Sequence, residues 1–407
     1  MKSKIIIILS LLISSSLYSS GFSVPEQGAK SISMANASTA YVDDATAIFY
    51  NPAALNQLEG LNVNLGLVFL KPTNSWTDGD KTATTKDSLF ELPQFNLTYR
   101  SKKDFSLGIG VNAPFAAGIE WPDAWEGAEL IEMMNLQSIN ISPTIAYNIN
   151  ENLTLGISYD FGIAAVELRK RVKLSNEDWI IANMSSYGIS VGHGFKIALL
   201  YNQPNKFKAG LVFKYGQDYH FKGKADFDVT NDAFLSKKPS DQFMTVDLSL
   251  PIEMKWGVVY YFNSKFLLSL DIQYTLWSSY DELKFVFEKN EFENEDGEYG
   301  NTSISKKNWN NVLSPRLGLE YKIDKLSLRG GYGYDLSPIP DETLDPSLPG
   351  SNRHIFALGF GYKLSFVDID FAYSYVLFEK RDASKSEFKG EYEGNVNIFS
   401  FTTNFNF

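Results

Sequence analysis

Gly188-Ile189-Ser190-Val191-Gly192, followed by His193, has the spacing of a nucleophile elbow. That chemistry needs the serine at the apex of a strand–turn–helix, with a base in reach. Here the segment opens a run of alternating residues, so the match reads as coincidence. The chain has three histidines, at positions 193, 220 and 354, and no cysteine. The histidines lie far apart in sequence, and no pair has metal-ligand spacing. No metal site, cofactor or catalytic residue is expected. Carboxylates are plentiful, but most fall in polar segments between apolar runs, as solvated surface does.

Two other groups suit binding better than bond making. Arg316 and Arg329 fall on the polar face of alternating runs. An Arg enclosed there could hold a ligand carboxylate by paired hydrogen bonds, or pair with a neighbouring Glu320 or Asp335. Trp121, Trp125, Ile131, Met133 and Met134 crowd one long polar segment. So much apolar surface in a loop either packs on another loop or meets a greasy ligand. The net charge of −11 excludes a nucleic-acid partner and reads as solubility of the loops.

The elements that must position these residues are strands. Leu61, Val63, Leu65, Leu67 and Phe69 occupy every second place, as do Phe105, Leu107, Ile109 and Val111. Val367, Ile369, Phe371, Tyr373, Tyr375 and Leu377 repeat the pattern. Successive strand side chains point to opposite faces, so each run has one greasy and one small or polar face. The alternation predicts fourteen strands, at 60–70, 92–100, 104–112, 137–148, 152–168, 186–202, 206–221, 244–262, 265–283, 307–322, 325–334, 352–363, 366–379 and 392–407. Short turns, such as Asn202–Asn205 and Lys322–Lys325, alternate with long polar loops at 71–91, 113–136, 169–185, 222–243, 284–306, 335–351 and 380–391. Turns on one side and loops on the other are the layout of an outer-membrane β-barrel: periplasmic turns, extracellular loops, and lipid around the wall. The fold class expected is therefore all-β, a transmembrane antiparallel barrel.

The N-terminus agrees. Lys2 and Lys4 precede an apolar stretch from Ile5 to Ile13, and Ser19, Ser20 and Gly21 follow. This is a secretory signal over residues 1–20, with the mature start at Ser20 or Gly21. It is too short for a helical span, and no later stretch reaches 18 apolar residues. Residues 21–59 break the alternation. Their scattered Phe22, Ile48, Phe49, Tyr50 and Leu55 favour a plug folded into the lumen of a barrel that occupies 60–407.

Gly28-Ala29-Lys30-Ser31, Met34-Ala35-Asn36-Ala37, Asp43-Asp44-Ala45 and Asn51-Pro52-Ala53-Ala54-Leu55 resemble the N-terminal hatch of FadL-type outer-membrane transporters. Those proteins carry long-chain fatty acids and aromatic hydrocarbons. The resemblance continues through Leu328-Arg329-Gly330-Gly331-Tyr332 and Ser337-Pro338-Ile339-Pro340, and spans essentially the whole chain. It implies a fourteen-stranded barrel plugged by its hatch. It also implies passive transport of hydrophobic small molecules, bound in the barrel and released sideways into the membrane, by a monomer. The alternative is a general diffusion porin. The family's third strand is kinked inward opposite the Asn-Pro-Ala triplet. Carried over, Asn51, Pro52 and Ala53 would support a third strand that bends at Gly108 and Gly110, and Phe22 would face the ligand. The same triplet also reads as a helix boundary, with Asn as cap and Pro at the first helical position. Phe399, Phe401, Phe405 and Phe407 alternate to the last residue, resembling the terminal signal read by the barrel-assembly machinery.

Overall fold

Alternation closes into a wall. The computed structural model describes residues 21–100, 104–173, 179–186, 188–229, 239–293 and 299–407. The signal reading and the first turn (101–103) lie outside them, as do parts of three long loops.

Fourteen antiparallel strands form one ring. They are β1 (Gly60–Asp78), β2 (Phe90–Arg100), β3 (Phe105–Asn112), β4 (Met133–Asn148), β5 (Leu153–Lys173), β6 (Ser190–Gln203) and β7 (Phe207–Tyr215). The remainder are β8 (Glu253–Tyr261), β9 (Phe266–Thr275), β10 (Val312–Ile323), β11 (Leu326–Asp335), β12 (Arg353–Lys363), β13 (Val367–Phe378) and β14 (Glu391–Asn406). Each pairs with its sequence neighbours, and β14 returns to β1 in register from Thr77↔Glu391 to Asn62↔Asn406. Closure pairs the first strand with the last, which is what strands need in hydrocarbon. Outward residues such as Leu65, Leu107, Ile157, Leu270, Leu358 and Phe401 are exposed, giving the wall its apolar outer band.

The expected strands are these staves, with three corrections. The runs 206–221, 244–262 and 265–283 each break in two. Tyr215, Glu253 and Thr275 end their staves, and the chain re-forms strands at Asp218–Val229, Gln242–Ser249 and Glu282–Phe287. Gly216 and Leu250-Pro251 make the break: a Cβ on Gly216 would collide with the Leu250 and Pro251 carbonyls, and Pro251 has no N–H for the ladder. Beyond it the partners change. These strands join Trp179–Ser186, Thr302–Lys306 and the top of β5 in a crown on the long-loop side. Alternation continues through a change of partner, so sequence alone does not mark it.

Residues 21–59 sit inside the ring, nearly all buried. Two short helices, α1 (Ala29–Ile32) and α2 (Ala47–Tyr50), precede a 3-10 turn at Pro52–Gln57. None is long enough to stand alone, and the wall holds them. Ala29 N–H donates to Thr402 Oγ1 on β14 at 2.8 Å, and Thr39 N–H to Asp271 Oδ2 on β9 at 2.7 Å. Lys196 on β6 donates to the Ile48 carbonyl at 3.0 Å. Lumen-facing glycines let the backbones meet: a Cβ on Gly331 would lie 2.7 Å from the Met34 Cα, inside contact distance.

Candidate ligand passage

The third stave leaves the wall. Its ladder with β2 stops at Phe95↔Val111, although β2 continues on to Phe90 beside β1. After Asn112 the chain turns inward through Ala113, Pro114 and Phe115, then rejoins β4 as Ala116–Glu120. The freed backbone groups are taken by the N-terminal segment. Val24 N–H donates to the Pro114 carbonyl at 2.8 Å, and Ala116 N–H to the Phe22 carbonyl at 3.1 Å. Gln27 Nε2 donates to the Ala113 carbonyl at 3.2 Å, and Ser23 and Phe115 form an isolated bridge. A wall in lipid opens only where such groups find internal partners.

Below the kink, Gly108 and Gly110 remain paired on both sides. Their role is room. A Cβ on either would come within 3 Å of Ile48 from α2. Asn51 does not reach β3. Its amide donates to the Thr39 carbonyl at 2.6 Å and to the Leu199 carbonyl of β6 at 3.5 Å, and its oxygen accepts from Ala53 N–H at 3.0 Å. So Asn51 caps the 3-10 turn, with Pro52 at its first position, and the triplet packs against β5 and β6; a Cβ on Gly156 would collide with Pro52 and Ala53. This corrects the expectation that Asn51 props the bend at the two glycines. The bend lies at Ala113–Phe115, and residues 22–27 hold it. Pro114 is the sequence signal for it, a residue that cannot donate to a ladder.

Phe22 lies in an aromatic cage. Its ring centroid is 4.8 Å from Trp277, 5.4 Å from Tyr280, 5.7 Å from Trp309 and 6.3 Å from Phe115. Trp277, Tyr280 and Trp309 fall inside the expected strands 265–283 and 307–322, whose alternation gives no sign that these rings leave the wall and converge. Trp121 and Trp125 stack at 4.2 Å, and Trp125 meets Trp76 and Phe388. Both indoles and Ile131 are buried, while Met133 and Met134 begin β4 half-exposed. The apolar loop therefore packs on other loops. It joins the cage and the inner face of the crown in one continuous apolar cluster.

Both arginines are committed to the protein's own carboxylates. Arg316 Nη2 donates to Asp335 at 3.0 Å and Nη1 to the Ala35 carbonyl at 3.0 Å. Arg329 donates to Glu320 at 2.7 Å and Asp370 at 2.6 Å. The hatch joins this network through Tyr41, whose hydroxyl donates to Glu320. In the loops, Lys307 pairs with Asp345 at 2.7 Å. Burial pushes the Asp345 carboxyl up, but Lys307 and the Ser347 hydrogen bonds outweigh it, so the net shift is downward. Burial pushes Lys307 down, and attraction to Asp345 and Tyr280 leaves it raised. Ser190 donates to the His220 carbonyl at 2.8 Å, a contact between strands. No group of metal-ligating side chains occurs among the described residues.

A closed, greasy-walled barrel with a filled lumen and one stave turned inward defines a plugged outer-membrane barrel. The chain belongs to the outer membrane protein transport protein family (OMPP1/FadL/TodX), whose sequence profile matches residues 10–407. It is 23% identical to a long-chain fatty acid transport protein of Salmonella typhi, over 97% of this chain and 96% of that one. A FadL homologue of Pseudomonas aeruginosa shares the fold at a TM-score of 0.84 and 17% identity, covering 95% of this chain and 100% of that one. The toluene transporter TodX of P. putida superimposes at 0.77, with 17% identity over 94% and 99% of the two chains. The protein is an outer-membrane transporter of this family.

Proposed function

We propose that this chain passively conducts hydrophobic small molecules, long-chain fatty acids or aromatic and aliphatic hydrocarbons, across the outer membrane as a monomer. Ligand leaves sideways, through the gap between β2 and β3, into the membrane. No bond is made or broken: the work is binding followed by release. One observation carries this reading. The β2–β3 ladder ends at Phe95↔Val111 while the third stave bonds to residues 22–24 instead. A porin would need a wide aqueous lumen, whereas here residues 21–59 fill it. Phe22 and its cage stand beside the kink, where an apolar ligand would compete for the same contacts. The last strand is handed to the barrel-assembly machinery through Phe407. The test is uptake of labelled oleate and labelled toluene by cells with and without the protein, normalised to folded barrel. Uptake equal to barrel-free cells for both ligands overturns the reading.

A further inference from the structure

Staves β13 and β14 pair without interruption from Val367↔Phe405 to Leu377↔Asn395, and pairing resumes at Arg381↔Tyr392. Three residues, Phe378 to Lys380, therefore face two, Glu393 and Gly394. The wall carries a bulge, with its ladder locally broken. The neighbouring ladders are intact. Gly394 and Glu393 stay opposite Asn74 and Ser75 of β1, and Glu379 N–H donates to the Asn352 carbonyl at 2.8 Å. The break thus belongs to this one seam, on the long-loop side and away from the β2–β3 gap.

A cleft of about 200 Å³ lies at the bulge, between Thr73, Ser75, Leu377, Lys380, Glu393 and Asn395. A second, narrow cavity lies among Gly21, Leu336, Ile339 and Leu348. Phe378 lines both. That ring is 6% exposed, and a Cβ on Gly394 would stand 2.6 Å from it. Glycine there is what lets the ring lie across the broken seam.

We propose that this bulge is a second lateral port, admitting neutral apolar molecules of about one aromatic ring from the long-loop side, with the Phe378 side chain as its door. The proposal rests on the transport reading above and adds to it a point of admission and a preferred ligand class. A single ring fits: about 150 Å³ holds benzene, and the open cleft offers about 200 Å³. Charge disfavours a carboxylate head. Lys380 is held by Glu391 at 2.6 Å and Glu393 at 3.6 Å, so two carboxylates face one ammonium at the mouth. The frame stays put while the ring moves. Arg381 donates to Ser337 Oγ at 3.0 Å, the Gly350 carbonyl at 2.6 Å and Asp341 at 3.0 Å, tying the rim to the 336–352 loop. A rotamer change would vacate the volume of the Phe378 ring between the cleft and the inner cavity, which itself holds about 10 Å³.

The experiment compares uptake of labelled toluene and labelled oleate, per folded barrel, for wild type, Phe378→Ala and Phe378→Trp. Phe378→Ala should raise toluene uptake about threefold, a barrier change of under one tenfold step. Phe378→Trp should lower it, and oleate uptake should follow neither. Equal toluene uptake by all three, with wild type above barrel-free membranes, overturns the port and leaves the transport reading standing. Wild type no better than barrel-free membranes overturns both. Should the alanine variant not fold, Phe378→Cys gives a single thiol in a chain with no other cysteine. Its labelling from outside by a charged thiol reagent should be slowed by toluene and not by oleate. A thiol that is inert, or indifferent to toluene, overturns the port.

Discussion

Asn112 Nδ2 donates to Asn96 Oδ1 at 3.0 Å, just past the last backbone rung that β2 and β3 share. The bond ends a lumen-facing chain of amides that runs through Asn96, Asn64 and Asn404 to Asp370. It is therefore the lip of the gap. Asn112→Ala removes the rung and leaves Asn96 short of a buried partner, at a cost of roughly 1–3 kcal/mol. Uptake of labelled oleate per folded barrel should rise severalfold, and the unfolding temperature of the barrel in semi-native gels should fall. Unchanged uptake would show that the lip does not limit release.

Asn51 makes a different prediction. Its bonds go to Thr39, Leu199 and its own cap, so Asn51→Ala should loosen the hatch by about 1–2 kcal/mol without touching the kink. A thiol placed at Ala53 should label faster in the Asn51→Ala background, while oleate uptake stays within about twofold of wild type, a barrier change well short of one tenfold step. A large loss of uptake would tie the triplet to the gap after all.

Arg329 serves two buried carboxylates, Glu320 and Asp370. Replacing it with Met leaves both without their guanidinium, which costs about 3–5 kcal/mol in comparable buried pairs. The barrel should unfold at visibly lower temperature. The ratio of oleate to toluene uptake should not change, because the guanidinium is already committed within the protein. A selective loss of oleate uptake would instead place a ligand carboxylate on Arg329.

The Lys307–Asp345 pair sets a pH window for loop docking. Asp345 is lowered in the folded protein, so its contribution is complete above the ordinary carboxylate range and is lost as pH falls through the lowered value. Lys307 is raised, so its contribution is complete below the ordinary lysine range and is lost as pH rises through the raised value. Protease cleavage within 336–352 on intact cells should therefore be flat from about pH 5 to 9. Asp345→Asn should raise cleavage throughout that range, since it strands a nearly buried ammonium. A wild-type cleavage rate that changes sharply near neutral pH would count against this pair as the loop's anchor.

Phe407 exchanges both backbone bonds with Leu61, at 2.8 and 3.1 Å, and so fastens the foot of the ring. Its ring is exposed, and Phe405 stacks beside it. Deleting Phe407 should lower the heat-modifiable folded form in outer membranes while the secreted precursor still appears. Unchanged folded protein would mean that the aromatic terminus is only a strand end.

Alternation and turn length were enough to set the barrel and its fourteen staves, because a strand's two faces are written in every second residue. The ambiguity of Arg316 and Arg329 was legible too. The bulge was not, and the kink was expected on the third strand but at the wrong residues. Gly108 and Gly110 look like hinges in one dimension, yet they are paired and serve as room for Ile48. The bend falls instead at Ala113–Phe115, because there the strand exchanges a neighbouring stave for Phe22 and Val24, some 90 residues earlier. Likewise the apolar alternation that ends at Tyr215 resumes at Tyr219 and Phe221, while the partner changes from wall to crown. Local periodicity fixes which face a side chain takes. Which strand lies alongside, which carboxylate takes an arginine and where a ladder stops depend on contacts between distant segments, and those exist only once the ring has closed around its hatch.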